Sequence, residues 1–498
     1  MSATVINFHT RFLVPDSHVR ANSPDSGDIS DLCASVVGSD EAHSKLPLLL
    51  ARYLEERFIL AGWPVGRIFG SEPELAGQCR VGRDVMREAV RILEGRGCAR
   101  MKRGPQGGLE IVQPSVHHLH QAMLDYASLT ALAPVQIVRA WVTLHLTAGR
   151  LLFMQGGCRP LQMLLARHAE KDVFDPRAMC SDLIEESGCK LLGILVDCLT
   201  PFLTEPVGPR VTSRALRGFT LKLAQEADQR PGAVPRRFRL LLHQVGMACM
   251  DRSPRPFGIE GLANGRSLAA AVVRALMQGK DAQSWEQGIL LGNEFDLRDR
   301  FGVDKSVVRQ AIRMMEAAEI ADARAGRGRG LISRRPGTAP LSRQLCSFIA
   351  SRAVSVAEVE QFVEALEMEI AGMAARRIGS EEMQLVNALL MDLADLRSSV
   401  PLGALQRFER FQHDAAKNVL LCAFLDGAKA YLSWNLVREV VAPPLSAALY
   451  ADHTTKVYDA IRSRDPGMAM ERQYDKLLAL RGSLHSQTEL NRLREIGG

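Results

Sequence analysis

The chain has 498 residues, 47% of them hydrophobic and 24% charged, with a formal net charge of +6. That is the balance of a globular protein of roughly two to four domains, and its mild positive charge permits nucleic-acid contact without arguing for it. The longest apolar region, Leu129–Phe153, is interrupted by Arg139, His145 and Arg150 and excludes a membrane span.

Ten cysteines lie scattered with no C-x-x-C pair, which reads as reduced thiols. No charged-then-apolar leader opens the chain. The expectation is a cytoplasmic, nucleoid-associated protein with no membrane partner.

In chain order, residues 1–42 are polar and include Pro15, Asp16, Asn22 and Pro24, the composition of a disordered tail. Leu46–Leu60 has helical apolar spacing. Ser71 is placed to N-cap a short helix, with Glu74 completing a capping box. A second helix is predicted over Arg83–Gly95, with Val85, Met86, Ala89, Val90 and Leu93 mostly on one face and Asp84, Arg87, Glu88 and Arg91 on the other. Cys98–Lys102 and Leu109–Val112 flank the glycine-rich turn Gly104–Gly108 and read as a hairpin. Three helices and a hairpin make a winged helix-turn-helix domain, assigned to 43–114. An all-helical bundle is expected over 115–258, with Asp251–Arg266 as a linker.

The pattern then returns. Residues 292–331 match 70–109 without a gap at an offset of 222 (292 − 70), with thirteen identities in the forty positions. Average residue usage gives roughly two or three by chance. A second winged helix is therefore placed at 259–336, with Leu268–Met277 as its first helix and Asp304 as the N-cap of Lys305–Glu316. A second bundle follows at 337–490, drawn from stretches such as Val356–Arg376, Glu382–Leu396, Ala404–Tyr431 and Thr454–Arg464. The predicted fold class is mainly α: two winged helix-turn-helix domains, each followed by a helical bundle.

Arg83–Glu94 and Lys305–Glu316 are the recognition-helix candidates, since a helix fits the DNA major groove and its N-terminal residues meet base edges. Arg83 and Arg87 lie at i and i+4, and Lys305 and Arg309 take the same two places in the second copy. Ser71, Asp84 and Ser306 complete the helix-borne candidates. The turns Lys102–Gly108 and Arg324–Gly330 mix glycine with cations, and Arg103, Gln106, Gly107, Arg327 and Arg329 are the wing candidates for phosphate or minor-groove contact. Neither turn has the spacing or the preceding strand of a nucleotide-binding loop.

The patterns G-S-E-x-E-L, V-x-R-x-x-x-R-E-A-x-R-x-L-E and R-G-x-x-G-G resemble the DNA-binding domain of the GntR family of bacterial transcription regulators, over about 65 residues in each half. The family typically has serine before the first recognition arginine. Here the position holds Gly82 and Asp304, and the arginine itself is Lys305 in the second copy. These departures predict unequal heads, the first being the stronger reader.

The helical regions are similar to the FadR-type C-terminal ligand-binding domain. Its motif F-H-x-x-L-x-x-x-S-G-N is matched at Phe408 and Asn418, with Glu409 for the histidine; in the first half Cys180 takes that place. A second motif is matched at Asp452-His453 and more weakly at Leu242-His243. The resemblance implies a small-molecule effector, an organic acid or acyl-CoA, with Cys180, His243, Glu409, His413, Asn418 and His453 as pocket candidates. Many relatives hold a divalent metal through an Asp and three His. Leu405 and Pro176 fall where the acid belongs, so no metal or other cofactor is expected.

The reading is a DNA-binding regulator, a repressor or an activator, the sequence leaving that choice open. It acts as a covalent pseudo-dimer on a pseudo-palindromic operator and is open to further homodimerisation. The alternative is a ligand-independent architectural or interaction protein. An enzyme is not expected, because no acid, base or nucleophile constellation stands out and Cys180 with His243 lacks an orienting third group.

Overall fold

The computed structural model describes residues 42–104, 106–129, 132–157, 159–169, 175–203, 236–248, 268–277, 285, 287–324, 330–334, 337–352, 354–394, 402–437 and 447–480. The expected tail, the 251–266 linker and the wing residues Arg327 and Arg329 lie outside them. In chain order the elements are α1 (Ala42–Leu60), α2 (Glu72–Gln78), α3 (Arg83–Gly95), β1 (Ala99–Lys102), β2 (Gly108–Ile111), α4 (Val116–Leu129), α5 (Pro134–Gly156), α6 (Arg159–Ala169), α7 (Pro176–Glu186), α8 (Lys190–Leu199) and α9 (Arg236–Ala248). There follow α10 (Leu268–Met277), β3 (Leu290–Gly292), α11 (Glu294–Phe301), α12 (Lys305–Ala317), β4 (Ala321–Ala323), β5 (Leu331–Ser333), α13 (Ala339–Ser351), α14 (Val356–Arg377), α15 (Ser380–Ala394), α16 (Leu402–Ala416), α17 (Val419–Val437) and α18 (Ala447–Arg462). A last helix, α19, spans 466–480.

Two compact units result. One gathers 15–133 with 253–353, and the other 134–252 with 354–498. Each therefore takes material from both halves of the sequence.

In the first unit, α1, α2 and α3 close on Leu50, Leu54, Phe58, Leu75, Met86 and Leu93, all buried. The capping box forms as expected, with the Ser71 side chain accepting from the Glu74 amide and Glu74 accepting from the Ser71 amide. Asn293 and Asp296, 222 residues on, make the same reciprocal pair at the start of α11. β1 and β2 pair antiparallel with Ala99 opposite Ile111. In the second segment the sheet has three strands in the order β3-β5-β4. The strand at Leu290–Gly292 was not anticipated, because three residues next to a glycine carry too little alternation to read as a strand. Its first-half counterpart is a single bridge, Ile68 to Glu110.

The wings are locked to the heads at one glycine each. A Cβ on Gly108, whose φ is +155°, would sit 2.5 Å from the Gly70 carbonyl oxygen; one on Gly330 would sit 2.7 Å from that of Gly292. The turn between the second and third helices also needs a left-handed residue. Gly302 supplies it at φ 60°, whereas Arg80 adopts φ 50° at the same place in the first segment. A non-glycine residue pays roughly 1–2 kcal/mol for that conformation.

In the second unit, α5 packs on α14, helices that begin 222 residues apart. At their contact Glu369 is fully buried between Arg150, at 2.7 Å, and Arg239, at 2.6 Å. Burial opposes ionisation of Glu369, but the Arg239 and Arg150 guanidiniums outweigh it and hold the carboxyl well below the usual carboxylate range. Two backbone contacts tie the halves again: the Leu191 amide donates to Glu358 Oε1 at 3.0 Å, and Asn418 Nδ2 donates to the Gln136 carbonyl at 2.9 Å. The core of the C-terminal bundle is Ala371, Ala375, Phe408, Phe411, Tyr450, Val457, Tyr458 and Ile461.

The stretch Ala404–Tyr431, read as one helical run, is two helices. The chain breaks at Lys417, φ 50°, and Asn418 caps the new helix by accepting from the Leu421 amide. A buried asparagine within apolar periodicity is a helix start, and periodicity alone does not register it.

Three outcomes follow from this packing. Glu369→Leu strands the buried Arg150 guanidinium and should cost about 3–5 kcal/mol in urea denaturation. The double variant Glu369→Leu, Arg150→Met should lose less than the single one. Gly108→Ala should cost about 1–3 kcal/mol through the forced shift of the wing, measured the same way.

The third concerns pH. His145 is buried, donates from Nδ1 to the Trp141 carbonyl, and has its pKa pushed down by burial from 6.5 to about 4. Between those values the unfolded chain binds a proton that the folded chain refuses. The stability is complete above pH 6.5 and is lost as pH falls toward 4, by at most about 1.4 kcal/mol per unit. His145→Gln should flatten that part of the stability profile.

Candidate nucleic-acid interface

The third helix of each segment turns one face inward and leaves the other bare. In α3, Met86, Ala89, Val90 and Leu93 are buried while Arg83, Asp84, Arg87 and Arg91 are exposed. In α12, Val308, Ala311 and Met315 are buried while Lys305, Ser306, Arg309 and Gln310 are exposed. The exposed cations therefore follow from the amphipathic pattern rather than from any special backbone. Asp304 stands at the N-cap of α12, as expected, but its side chain makes no capping bond; Gly82 has none to offer. The first-turn amides of both helices thus have no N-cap side-chain partner, an end of the kind that phosphate favours.

The electrostatics around these cations differ between the copies. Arg87 Nε donates to Glu72 Oε1 at 3.0 Å, and Arg309 Nε donates to Glu294 Oε2 at 3.0 Å. Glu294 also takes Lys305 at 3.3 Å. Arg83, in the position equivalent to Lys305, has no ion-pair partner among the described residues. Asp84 lies 3.9 Å from Arg87 and is almost wholly exposed.

At the first wing tip Lys102, Arg103 and Gln106 are exposed. Gly107 closes the turn by donating to the Gly104 carbonyl, and a Cβ there would meet the Lys102 oxygen at 2.3 Å. Ser71, a DNA candidate, is engaged in the capping box.

Several residues that organise this surface escaped the sequence reading. Arg313 of α12 pairs with Glu88 of α3, so the two exposed helices are bound to each other. Glu319, just after α12, accepts from Arg52 at 3.0 Å and from Arg343 at 2.6 Å. Arg96 pairs with Glu55 at 2.6 Å, and its carbonyl accepts from Gln344. Glu319 adopts φ 55° where the first segment has Gly97 at φ 69°; the strained turn is held by three arginines, the third being Arg334 at 3.9 Å. The identities Arg91/Arg313 and Glu72/Glu294 at the repeat offset were the signals that could have found some of these contacts.

The pocket candidates scatter. Glu409 is buried between Lys476 Nζ, at 2.5 Å, and the Tyr450 hydroxyl, at 2.8 Å. His413 lies 3.7 Å from Asp426, with its pKa pushed down to about 3 by burial and by the Lys429 ammonium. His453 is half-buried beside them in the fold, and its pKa is lowered chiefly by burial. Asn418 is a helix cap, Cys180 is buried in the first-half bundle, and His243 is exposed on α9. The set does not fit a divalent ion: among the described residues no three His, Cys, Asp or Glu side chains converge, and the Glu409 carboxylate already faces an ammonium.

Residues 358–474 match the family model of the FCD domain. The chain is 24% identical over 234 residues to an uncharacterized HTH-type transcriptional regulator, YcbG, of Bacillus subtilis (strain 168); the match takes in 46% of this chain and 96% of that protein. Among solved structures, Streptococcus agalactiae GntR matches at 19% identity over 43% of this chain and 100% of its own, with a TM-score of 0.30. No helix among the described residues is long and apolar enough to cross a membrane. Residues 358–474 thus match an FCD domain, and the chain is similar to an HTH-type transcriptional regulator.

Proposed function

We propose that the chain is a tandem regulator. Two winged-helix heads, each with its own helical bundle, act as a covalent pseudo-dimer on one operator in the cytoplasm, under the control of a small molecule held in a bundle. The carrying observation is the Arg313–Glu88 pair. Two helices bridged by one Arg–Glu pair stand closer together than the ~34 Å between half-sites set one helical turn apart. The two heads therefore read abutting half-sites.

Further support comes from contacts that recur at the repeat offset. The Met101 amide donates to Glu94 and the Ala323 amide to Glu316; Gln136 and Glu358 each receive the start of a helix from the other half. The curated relative, matched over nearly its whole length by less than half of this chain, fits one repeat. Arg83, Asp84, Arg87, Arg103, Gln106 and Gly107 would contact DNA from the first head, and Lys305, Ser306 and Arg309 from the second. Because the two sets differ, the half-sites differ, and a single chain suffices where other members would need a homodimer.

Control by an effector rests on buried polar atoms without partners. Gln412 Nε2 and Gln473 Oε1 are buried with no hydrogen bond among the described residues, a cost that a polar ligand or ordered water would remove. The ligand-independent reading has its own support: the ion pairs Glu409–Lys476 and Glu367–Lys429 satisfy the buried charges from within. A melting-temperature screen against organic acids and acyl-CoAs separates the two, since a ligand selective for the folded state raises apparent stability.

For the heads, gel-shift titration of a selected duplex should give one chain per duplex. Arg83→Ala should weaken specific binding by about 1–3 kcal/mol, and Lys305→Ala by less, mainly by lowering the salt slope. Equal, negligible losses would remove the asymmetric reading.

A further inference from the structure

We propose that Glu72 and Glu294 are positioning residues that present the outer guanidinium edges of Arg87 and Arg309 to guanine. This rests on the DNA-reading role of the two heads. The two pairs use the same atom of the arginine: Nε donates to the glutamate at 3.0 Å in both. Both glutamates open the helix that precedes the recognition helix, and both stand at the repeat offset. An incidental surface ion pair is worth little and has no reason to recur with one donor atom.

The chemistry of the guanidinium gives the arrangement its consequence. Arginine has five N–H donors in a planar fork. With Nε–H engaged by the carboxylate, the side edge formed by Nε and one Nη is blocked, and the end formed by both Nη groups stays open. That end can donate two parallel bonds to O6 and N7 of guanine. The glutamate also removes rotameric freedom that a half-exposed arginine would otherwise lose on binding. Its negative charge repels phosphate, so it weakens binding to arbitrary sequence while sharpening binding to guanine.

The copies differ in two respects: Asp84, 3.9 Å from an Nη of Arg87, is replaced by Ser306 in the second copy, and the second carboxylate has a further charge to hold. Glu294 also holds Lys305 at 3.3 Å, whereas Arg83 has no such restraint. In the second head one carboxylate governs both cations, so its loss frees two charges for non-specific contact.

The test uses the full-length protein and a duplex enriched by selection on the wild type, with each guanine replaced in turn by 7-deazaguanine, which lacks the N7 acceptor. The wild type should lose about tenfold in affinity at one guanine of each half-site. Glu72→Gln should shrink that loss to about twofold in the first half-site alone, and Glu294→Gln in the second alone. Both variants should bind unrelated duplex more tightly than the wild type, Glu294→Gln by the larger factor. Their melting curves should overlay that of the wild type, as fits exposed pairs, so a merely structural role would move neither readout. Retention of the full guanine penalty by both variants overturns the positioning role while leaving the DNA-reading role intact. If the wild type enriches no sequence at all, the DNA-reading role falls and this inference with it.

Discussion

The ion pair between Arg313 and Glu88 is the constraint on which the proposed reading surface depends. Each recognition helix is amphipathic and would expose its cations wherever its domain sat. Only a contact between the helices fixes how far apart the cations stand, and that distance decides what length of DNA they can address. One half-buried ion pair is a weak fastening, so the position must be held elsewhere as well. Glu319 with Arg52 and Arg343, and Arg96 with Glu55 and Gln344, supply that support a turn or two away. These groups are less exposed than the recognition face, and several charges share each contact, the condition under which ion pairs contribute most.

The helical unit follows a related logic with deeper burial. α5 and α14 meet through Glu369 of the second half, and two guanidiniums of the first half, Arg150 and Arg239, converge on its carboxylate. A buried charge triad adds little net stability against an apolar alternative, yet removing one member is costly. It acts as a register device. Helices lined with Ala, Leu and Val could slide past one another, while a single carboxylate between Arg150 and Arg239 admits one alignment. Asn418 and Glu358, binding the other half at Gln136 and Leu191, fix the same alignment from the helix ends.

Much of the fold was legible in the sequence. The helix at Leu268–Met277, the start of the recognition helix at Arg83, the capping box at Ser71 and the hairpin around Gly104–Gly108 were all readable, because local chemistry decides them. What escaped reading was set by distant partners. The three-residue strand at Leu290–Gly292 exists only because β5 lies beside it. Glu319 looks like any surface glutamate until Arg52 and Arg343 arrive from elsewhere in the chain. His243 aligned with a family motif, but its helix turns it outward, and a motif match carries no information on which face a helix buries. Within the candidate interface the arginines were visible and the glutamates that hold them were not, since an acidic residue at a helix start has a sufficient local explanation in the helix dipole.

The differences between the two sequence copies are informative for that reason. At the turn before the recognition helix, the first copy strains Arg80 and the second relaxes with Gly302. At the turn after it, the first relaxes with Gly97 and the second strains Glu319. A larger residue in place of Gly97 would be strained at φ 69° and would push the His118 ring aside, since a Cβ there would come within 2.6 Å of it. Glu319 cannot be exchanged for glycine without releasing three arginines. The copies are thus no longer interchangeable at positions remote from DNA. Once each turn has taken on a different neighbour, the two segments are fixed in their separate places in the chain, and divergence at the proposed reading positions, Arg83 against Lys305 and Asp84 against Ser306, has a fixed geometry on which to act. A homodimer cannot reach that condition, because every substitution appears on both sides of its axis at once.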